Sequence, residues 1–368
     1  MSRGPIVVPP PLPGAVCDSA AVARRAPTRK QGLTAARNAR AIVLFCLALR
    51  LGAAGVAGSE HADLPPSHSV QPKLAATGFA FAAGPAVNAA GELFVANYRE
   101  LGTVGRIAAD GTASVFCDLR TLVPLEGRTP QANGLKLDSQ GRIIVADLGG
   151  GRLLRVADDG SQVEVLAERS EGKRFDNVHD IALDRQGNVF FTDPGESTAE
   201  NPTGSVYRYD VRTGRTTLLA TGLAYPSGIA VTPDQKQLCV AESRQYRVLI
   251  YDLTADGAAE NQRVLADFPD ETRGTFVGGK FDPDGMVFDA HGRLYVAMRR
   301  GGVVNVVDLR SGLLIRQYDA GGWRATNCHF HNGYLYTTVA AKEAVFRLKL
   351  GVEGFDYNGT LRATQDVP

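Results

Sequence analysis

From about residue 80 onward, apolar positions alternate with polar ones or form short runs, and the wider spacing of an amphipathic helix is almost absent. Gly, Asp, Asn and Pro interrupt the runs every few residues, which is the turn chemistry of an all-β array. One unit recurs: a small or polar residue, a strand, a tight turn and a second strand. It appears as "AGPAVNAAGELFVAN", "NGLKLDSQGRIIVAD", "HDIALDRQGNVFFTD", "SGIAVTPDQKQLCVAE" and "DGMVFDAHGRLYVAM", with a weaker sixth copy, "TNCHFHNGYLYTT". A second strand pair follows each, for example "GRLLRVADDGSQVEVLA". The units start near 83, 133, 179, 227, 284 and 326, a spacing of about 40–60 residues that suits a four-stranded blade. Six such units predict an all-β fold, a six-bladed β-propeller. A lone blade cannot bury both faces, so the ring must close, and "TGFAFAAG" at 77–84 is expected to supply the closing strand. The expected organisation is a leader over 1–59, a linker over 60–77, the propeller over 78–350 and a tail over 351–368.

In such a ring the first strand of each unit lines the central channel. The repeat then sets Ala83, Asn133, His179, Ser227, Asp284 and either Thr326 or Asn327 at one height around the axis. A carboxylate entering a buried strand, as Asp284 does, is costly without a partner; a cation, a ring of hydrogen bonds or a substrate would each supply one. A second register, Asn97, Asp147, Asp193, Glu242 and Met298, ends the second strands. Its acids are expected to bond to neighbouring backbone and lock the blade turns.

Composition narrows the function classes. The 368-residue chain carries a formal net charge of +1 and few aromatics, with no basic cluster interleaved with rings, so nucleic acid is not an expected partner. Residues 1–58 differ from the rest: a basic stretch, "ARRAPTRKQGLTAARNAR", then the apolar "AIVLFCLALRLGAAGVAG", then Ser59. Basic, apolar, then small is the layout of an export signal, which predicts a periplasmic or secreted protein; without export the chain would be cytoplasmic. Arg50 interrupts the apolar run, which leaves it too short for a stable membrane span. Of five cysteines, Cys17 and Cys46 lie in the leader, and Cys117, Cys239 and Cys328 in the body, with no CxxC pair. That excludes a disulfide scaffold. "GGGRLL" at 149–154 has phosphate-loop glycines without a following helix, which excludes nucleotide binding on that ground.

The stretches "ANGLKLDSQGRIIVAD", "ERSEGKRFDNVHDIALDRQGNVFFTDP", "YPSGIAVTPDQKQLCVAES" and "PDGMVFDAHGRLYVA" resemble the gluconolactonase, senescence-marker-protein and luciferin-regenerating-enzyme family over about 78–350. The resemblance implies a six-bladed propeller whose axial divalent cation, usually calcium, activates a lactone or ester for hydrolysis. It implies a ligand set of one Glu, two Asn and one Asp. The Asp falls on Asp284, one Asn on Ser227 of "PSG", the other Asn on His179 of "VHD" with Asp180 kept beside it, and the Glu on Ala83 of "AGP". Asn133 is retained. Calcium takes six to eight hard oxygen ligands; Ala83 removes a carboxylate, and the imidazole of His179 suits a transition metal better.

These readings give Asp284 and His179 as candidate catalytic residues and as the candidate metal ligands, with Asn133, Ser227, Asp180, Asn327 and His329 expected to bind substrate. His329 and His331 alternate on one strand face, and Trp323, Arg324, Arg299 and Tyr98 are candidates for the rim. The leading expectation is a hydrolase of a small lactone or ester at the channel mouth. The alternatives are a metal-independent lyase or isomerase resembling strictosidine-synthase-like propellers, and a propeller that binds a small molecule without turning it over.

Overall fold

The structure is a computed structural model that describes residues 61–358 except 269, 270, 274, 275 and 280. The leader over 1–59, with Cys17 and Cys46, therefore lies outside the described residues, as does the end of the tail. No described helix is long and apolar enough to cross a membrane.

Six four-stranded antiparallel sheets form the six blades. Their innermost strands are Phe79–Val87, Ala132–Leu137, Ile181–Leu183, Pro226–Val231, Pro283–Phe288 and Ala325–His331. The units recognised in the sequence are these strands and their hairpin partners. The hairpin turns follow from local chemistry: Asp138 Oδ1 accepts the backbone N–H of Gln140 and Arg142, and Gly141 supplies the positive φ that closes the turn. Asp184 and Asp289 repeat the arrangement.

Inner strands such as Leu93–Tyr98, Ala132–Leu137 and Ile143–Asp147 are buried at every position because a neighbouring blade covers each face. The outermost strand Val163–Ala167 is mostly half-buried or exposed. The core is accordingly divided into six apolar clusters, one between each pair of adjacent blades. Cys117, Cys239 and Cys328 are free thiols buried among them.

Closure uses a strand slightly earlier in the chain than expected. Lys73–Thr77 pairs antiparallel with Ala344–Lys349 and becomes the outer strand of blade six. The "TGFAFAAG" stretch instead opens blade one, because Phe79 and Ala82 pack between blades six and one. The stretch read as a linker is also anchored further back: Leu64 is buried between blades five and six, and Asp63 forms two hydrogen bonds to Arg293 at 2.8 Å.

Around the axis the innermost strands approach closely where glycine follows the register residue. A Cβ on Gly228 would lie 2.0 Å from the Asp284 carbonyl oxygen, and one on Gly134 would lie 2.4 Å from Asp180 Oδ1. These glycines bring the register side chains to the top of a narrow channel. At the other end the channel is covered by the tail, where the backbone N–H of Phe355 bonds to Phe288 and the Asn358 side chain donates to Leu137.

Candidate active site

The register residues do not share one role. Asn133 Nδ2 donates to the His179 carbonyl at 2.8 Å, Ser227 Oγ to the Pro283 carbonyl at 3.1 Å, and Thr326 Oγ1 to the Ala82 carbonyl at 2.7 Å. Each tethers its strand to the innermost strand of the next blade. Asp284 makes no such bond among the described residues, and His179 Nδ1 is buried without a partner. The ring of polar side chains is thus largely a ring of inter-blade ties: His179 joins it through a hydrogen bond with the Ser227 backbone but keeps Nδ1 unpartnered, and Asp284 bonds locally with the Gly285 backbone.

Both face a cavity of about 180 Å³ at the channel mouth, lined by Ala83, Asn133, Thr326 and Asn327 from the register and by Phe81, Gln131, Leu148, Tyr225 and Arg299 around it. Asp284 and His179 are 6% and 7% exposed. Burial pushes the Asp284 carboxyl up to about 8; Arg299 opposes the shift, and Asp180 and Asp282 add to it. Burial takes His179 down to about 3, the Arg299 charge adds to the shift, and a hydrogen bond with the Ser227 backbone opposes it. At neutral pH the site therefore presents a neutral imidazole beside a carboxyl that titrates near the working range. The His179 ring meets Tyr225 edge-on with centroids 5.8 Å apart, which fixes its plane.

Asp180 lies one step below. Its Oδ1 accepts the Ile181 N–H at 2.9 Å, and its Oδ2 accepts from Asn327 Nδ2 at 3.3 Å. Because Asn327 belongs to blade six and Asp180 to blade three, this bond spans the axis and narrows the channel beneath the cavity. Burial raises Asp180 to about 6, against the pull of Lys136.

Besides Asp180, two further expected substrate contacts do not reach the mouth. The Ser227 hydroxyl is held by Ser243 Oγ at 2.6 Å and by the Pro283 carbonyl, so it is a tie between blades four and five rather than a substrate contact. His329 lies two residues further along its strand than Asn327 and lines a separate cavity at the opposite end, with His331 and Glu353. Sequence reasoning placed Arg299 only among rim candidates and passed over Tyr225 and Gln131. None of the three sits on the repeat register, and only their strand-end positions hinted at them. The second register behaves as expected: Asp147 Oδ1 accepts the N–H groups of Gln131 and Gly150, Asp193 those of Asp176 and Asn177, and Glu242 that of Ala224.

The residues present do not fit calcium. Ala83 offers no oxygen, Ser227 turns away, and the Asn327 Oδ1 already accepts the Cys328 N–H. Of the implied ligand set that leaves the Asp284 carboxylate and Asn133 Oδ1, and even with the Gln131 amide oxygen on the same wall the side chains fall well short of six to eight oxygens. Nor does a cluster of three or more His, Cys, Asp or Glu suited to a metal occur among the described residues. A larger cavity of about 480 Å³ is built from the turns around Asp184, Asp210 and Thr254. The Asp184 and Asp210 carboxylates are engaged by their own turn backbones there, so that cavity does not carry the chemistry.

The family model described as SMP-30/gluconolactonase/LRE-like region matches residues 128–341, more than half of the chain. The chain belongs to this family. A gluconolactonase of Zymomonas mobilis is 31% identical over 184 residues, 47% of this chain and 51% of that protein. A diisopropyl-fluorophosphatase of Loligo vulgaris is 33% identical over 168 residues, 42% of this chain and 51% of that protein. The chain spans about half the length of these curated relatives. The solved structure of a gluconolactonase from Xanthomonas campestris superposes with a TM-score of 0.61 at 25% identity, covering 78% of this chain and 97% of that one. Family membership thus agrees with the six-bladed ring.

Proposed function

We propose that this family member is a hydrolase that opens a small lactone or cleaves a small ester at the channel mouth. The observation that carries the reading is the placement, on one cavity, of the buried Asp284 carboxyl and a buried imidazole, His179, whose Nδ1 has no partner. The relatives named as gluconolactonase and diisopropyl-fluorophosphatase support it. A cavity of about 180 Å³ is below the roughly 300–1,000 Å³ of pockets for drug-sized ligands, so the substrate is small.

The chemistry runs through the chain's own groups. The Asp284 carboxylate takes a proton from water as the water oxygen bonds to the carbonyl carbon, and the carbonyl electron pair moves onto its oxygen. Collapse of that adduct breaks the carbon–oxygen bond of the ring or ester, and the departing oxygen takes the proton back from Asp284. His179, neutral, fixes the water through its unpartnered Nδ1, while Asn133, Gln131 and Tyr225 orient the substrate around it.

The test is turnover of a panel of small lactones and esters by the purified protein and by the Asp284→Ala/His179→Ala double variant. Hydrolysis by the wild type, with a loss of about 10²-fold or more in a folded double variant, is expected. No hydrolysis of any panel member, or equal rates in both proteins, would overturn the reading. The replaced ligand positions Ala83 and Ser227 favour a second reading, a metal-independent lyase or isomerase. It would yield product without oxygen from labelled water.

A further inference from the structure

Four charged side chains lie along the channel, two of each sign. Asp284 shares the mouth cavity with Arg299, whose charge acts on Asp284, on His179 and on Tyr225. Below them Asp180 lies within reach of the Lys136 charge, and Asp180 and Lys136 are 2% and 6% exposed. Lys136 follows Gly134 on the channel-facing side of the blade-two strand and lines the narrow space under the Asp180–Asn327 bond. Each carboxylate is therefore acted on by the charge of a cation supplied by the chain.

The surroundings do not add negative charge for a further ion to answer. Asp282 faces Arg300 at 3.6 Å. Arg244 and Arg324 stack over Tyr225 and Phe81, two walls of the same cavity, each at 5.3 Å. Glu196 is the remaining acid whose charge reaches Tyr225. A divalent ion placed at the mouth would join the guanidinium against a single carboxylate. Burying charge without compensation costs several kcal/mol per ion, and the donor set offers too few oxygens to offset it.

We infer that this site works without a metal ion, and that the Arg299 guanidinium supplies the positive charge that polarises the substrate carbonyl. The second half of the inference rests on the hydrolase reading; the first half, the charge balance, does not. A guanidinium carries five donors in a planar fork, so Arg299 can hold a developing oxyanion as an ion would. The substitution of Ala83 for the acid implied by the family resemblance then has a physical reason: beside Arg299, an added carboxylate would neutralise the group that does the work.

The experiment is elemental analysis of the full chain purified without chelator, together with its melting temperature in calcium and in EDTA, and its lactone or ester hydrolysis under the same conditions. The inference predicts far less than one divalent ion per chain, a melting temperature indifferent to calcium and EDTA, and undiminished turnover in EDTA. Arg299→Met should lower kcat about 10²–10³-fold, with part of it restored in Arg299→Lys. The Ala83→Glu/Arg299→Gln double variant should acquire a calcium-dependent rise in melting temperature. Stoichiometric metal in the wild type, or calcium-induced stabilisation of it, would overturn the inference. A metal-free, calcium-indifferent protein with no hydrolytic turnover would overturn the hydrolase reading while supporting the charge balance.

Discussion

Replacing Asp284 with Asn should make the protein more stable at neutral pH while it removes activity. The carboxyl is 6% exposed and held up to about 8, chiefly by burial. In the unfolded chain it titrates near 3.9. Between those values the native state holds a proton that the unfolded state has lost, so stability falls as pH rises. The contribution is fully present below about pH 4 and is lost on the way to about pH 8. At pH 7 the interval is about three units, on the order of 4 kcal/mol at 1.36 kcal/mol per unit. That is an upper bound, because the effective dielectric at buried sites exceeds that of dry protein. Asn has no proton to lose, so its advantage should be absent near pH 4, grow with pH and reach about 1–4 kcal/mol at pH 7. Urea unfolding of both proteins across this range, with equal m-values, measures it. A gap independent of pH, or an Asn variant less stable than the wild type at pH 7, would refute the reasoning.

Two further predictions concern the frame around the site. Asp147 and Arg152, 0% and 3% exposed, pair at 2.8 Å; Asp147→Ala strands a buried guanidinium and two backbone donors and should cost about 3–5 kcal/mol in urea unfolding, whereas an unchanged midpoint would show that the turn lock is dispensable. A chain beginning at residue 78 loses Leu64 and the Lys73–Thr77 strand. It should lose at least the roughly 2–5 kcal/mol of one buried leucine, partly regained when a peptide covering 61–77 is added, and an unaltered melting temperature would contradict closure by that strand.

Much of this was legible from the residues because a propeller repeats one local solution. The spacing of "NGLKLDSQGRIIVAD" and its relatives predicted the six innermost strands, the channel register and the turn locks at Asp147, Asp193 and Glu242, since each depends on contacts within one blade or with the next. The direction of a side chain in the register was not legible. Ser227 and His179 occupy equivalent positions, yet the Ser227 hydroxyl is bonded to Ser243, which opens the 3-10 turn after the hairpin partner strand of the same blade, a contact the register does not encode. His329 was expected near the mouth because it alternates with His331 on one strand face, but two residues along the strand from Asn327 carry it about 6–7 Å down the channel. Arg299 was legible only as a rim candidate, and Lys136 not at all, for a related reason: charge balance is a property of the assembled axis, and no motif contains it. The closing strand was misplaced by a few residues because "KLAAT" and "TGFAFAAG" both read as extended, and the bend at Gly78 that separates them, where φ is +93°, shows only in three dimensions.

The most direct test of the account is the pH dependence of kcat/KM for lactone or ester hydrolysis, which reports the ionisation of groups in the free enzyme. The carboxyl invoked is Asp284, with Arg299 lowering its pKa and Asp180 and Asp282 raising it. The account predicts a rate that falls about tenfold per pH unit below about pH 8 and levels off above it, and predicts that this inflection is missing from any residual activity of Asp284→Asn. A flat profile in the wild type, or the same inflection in Asp284→Asn, would contradict it.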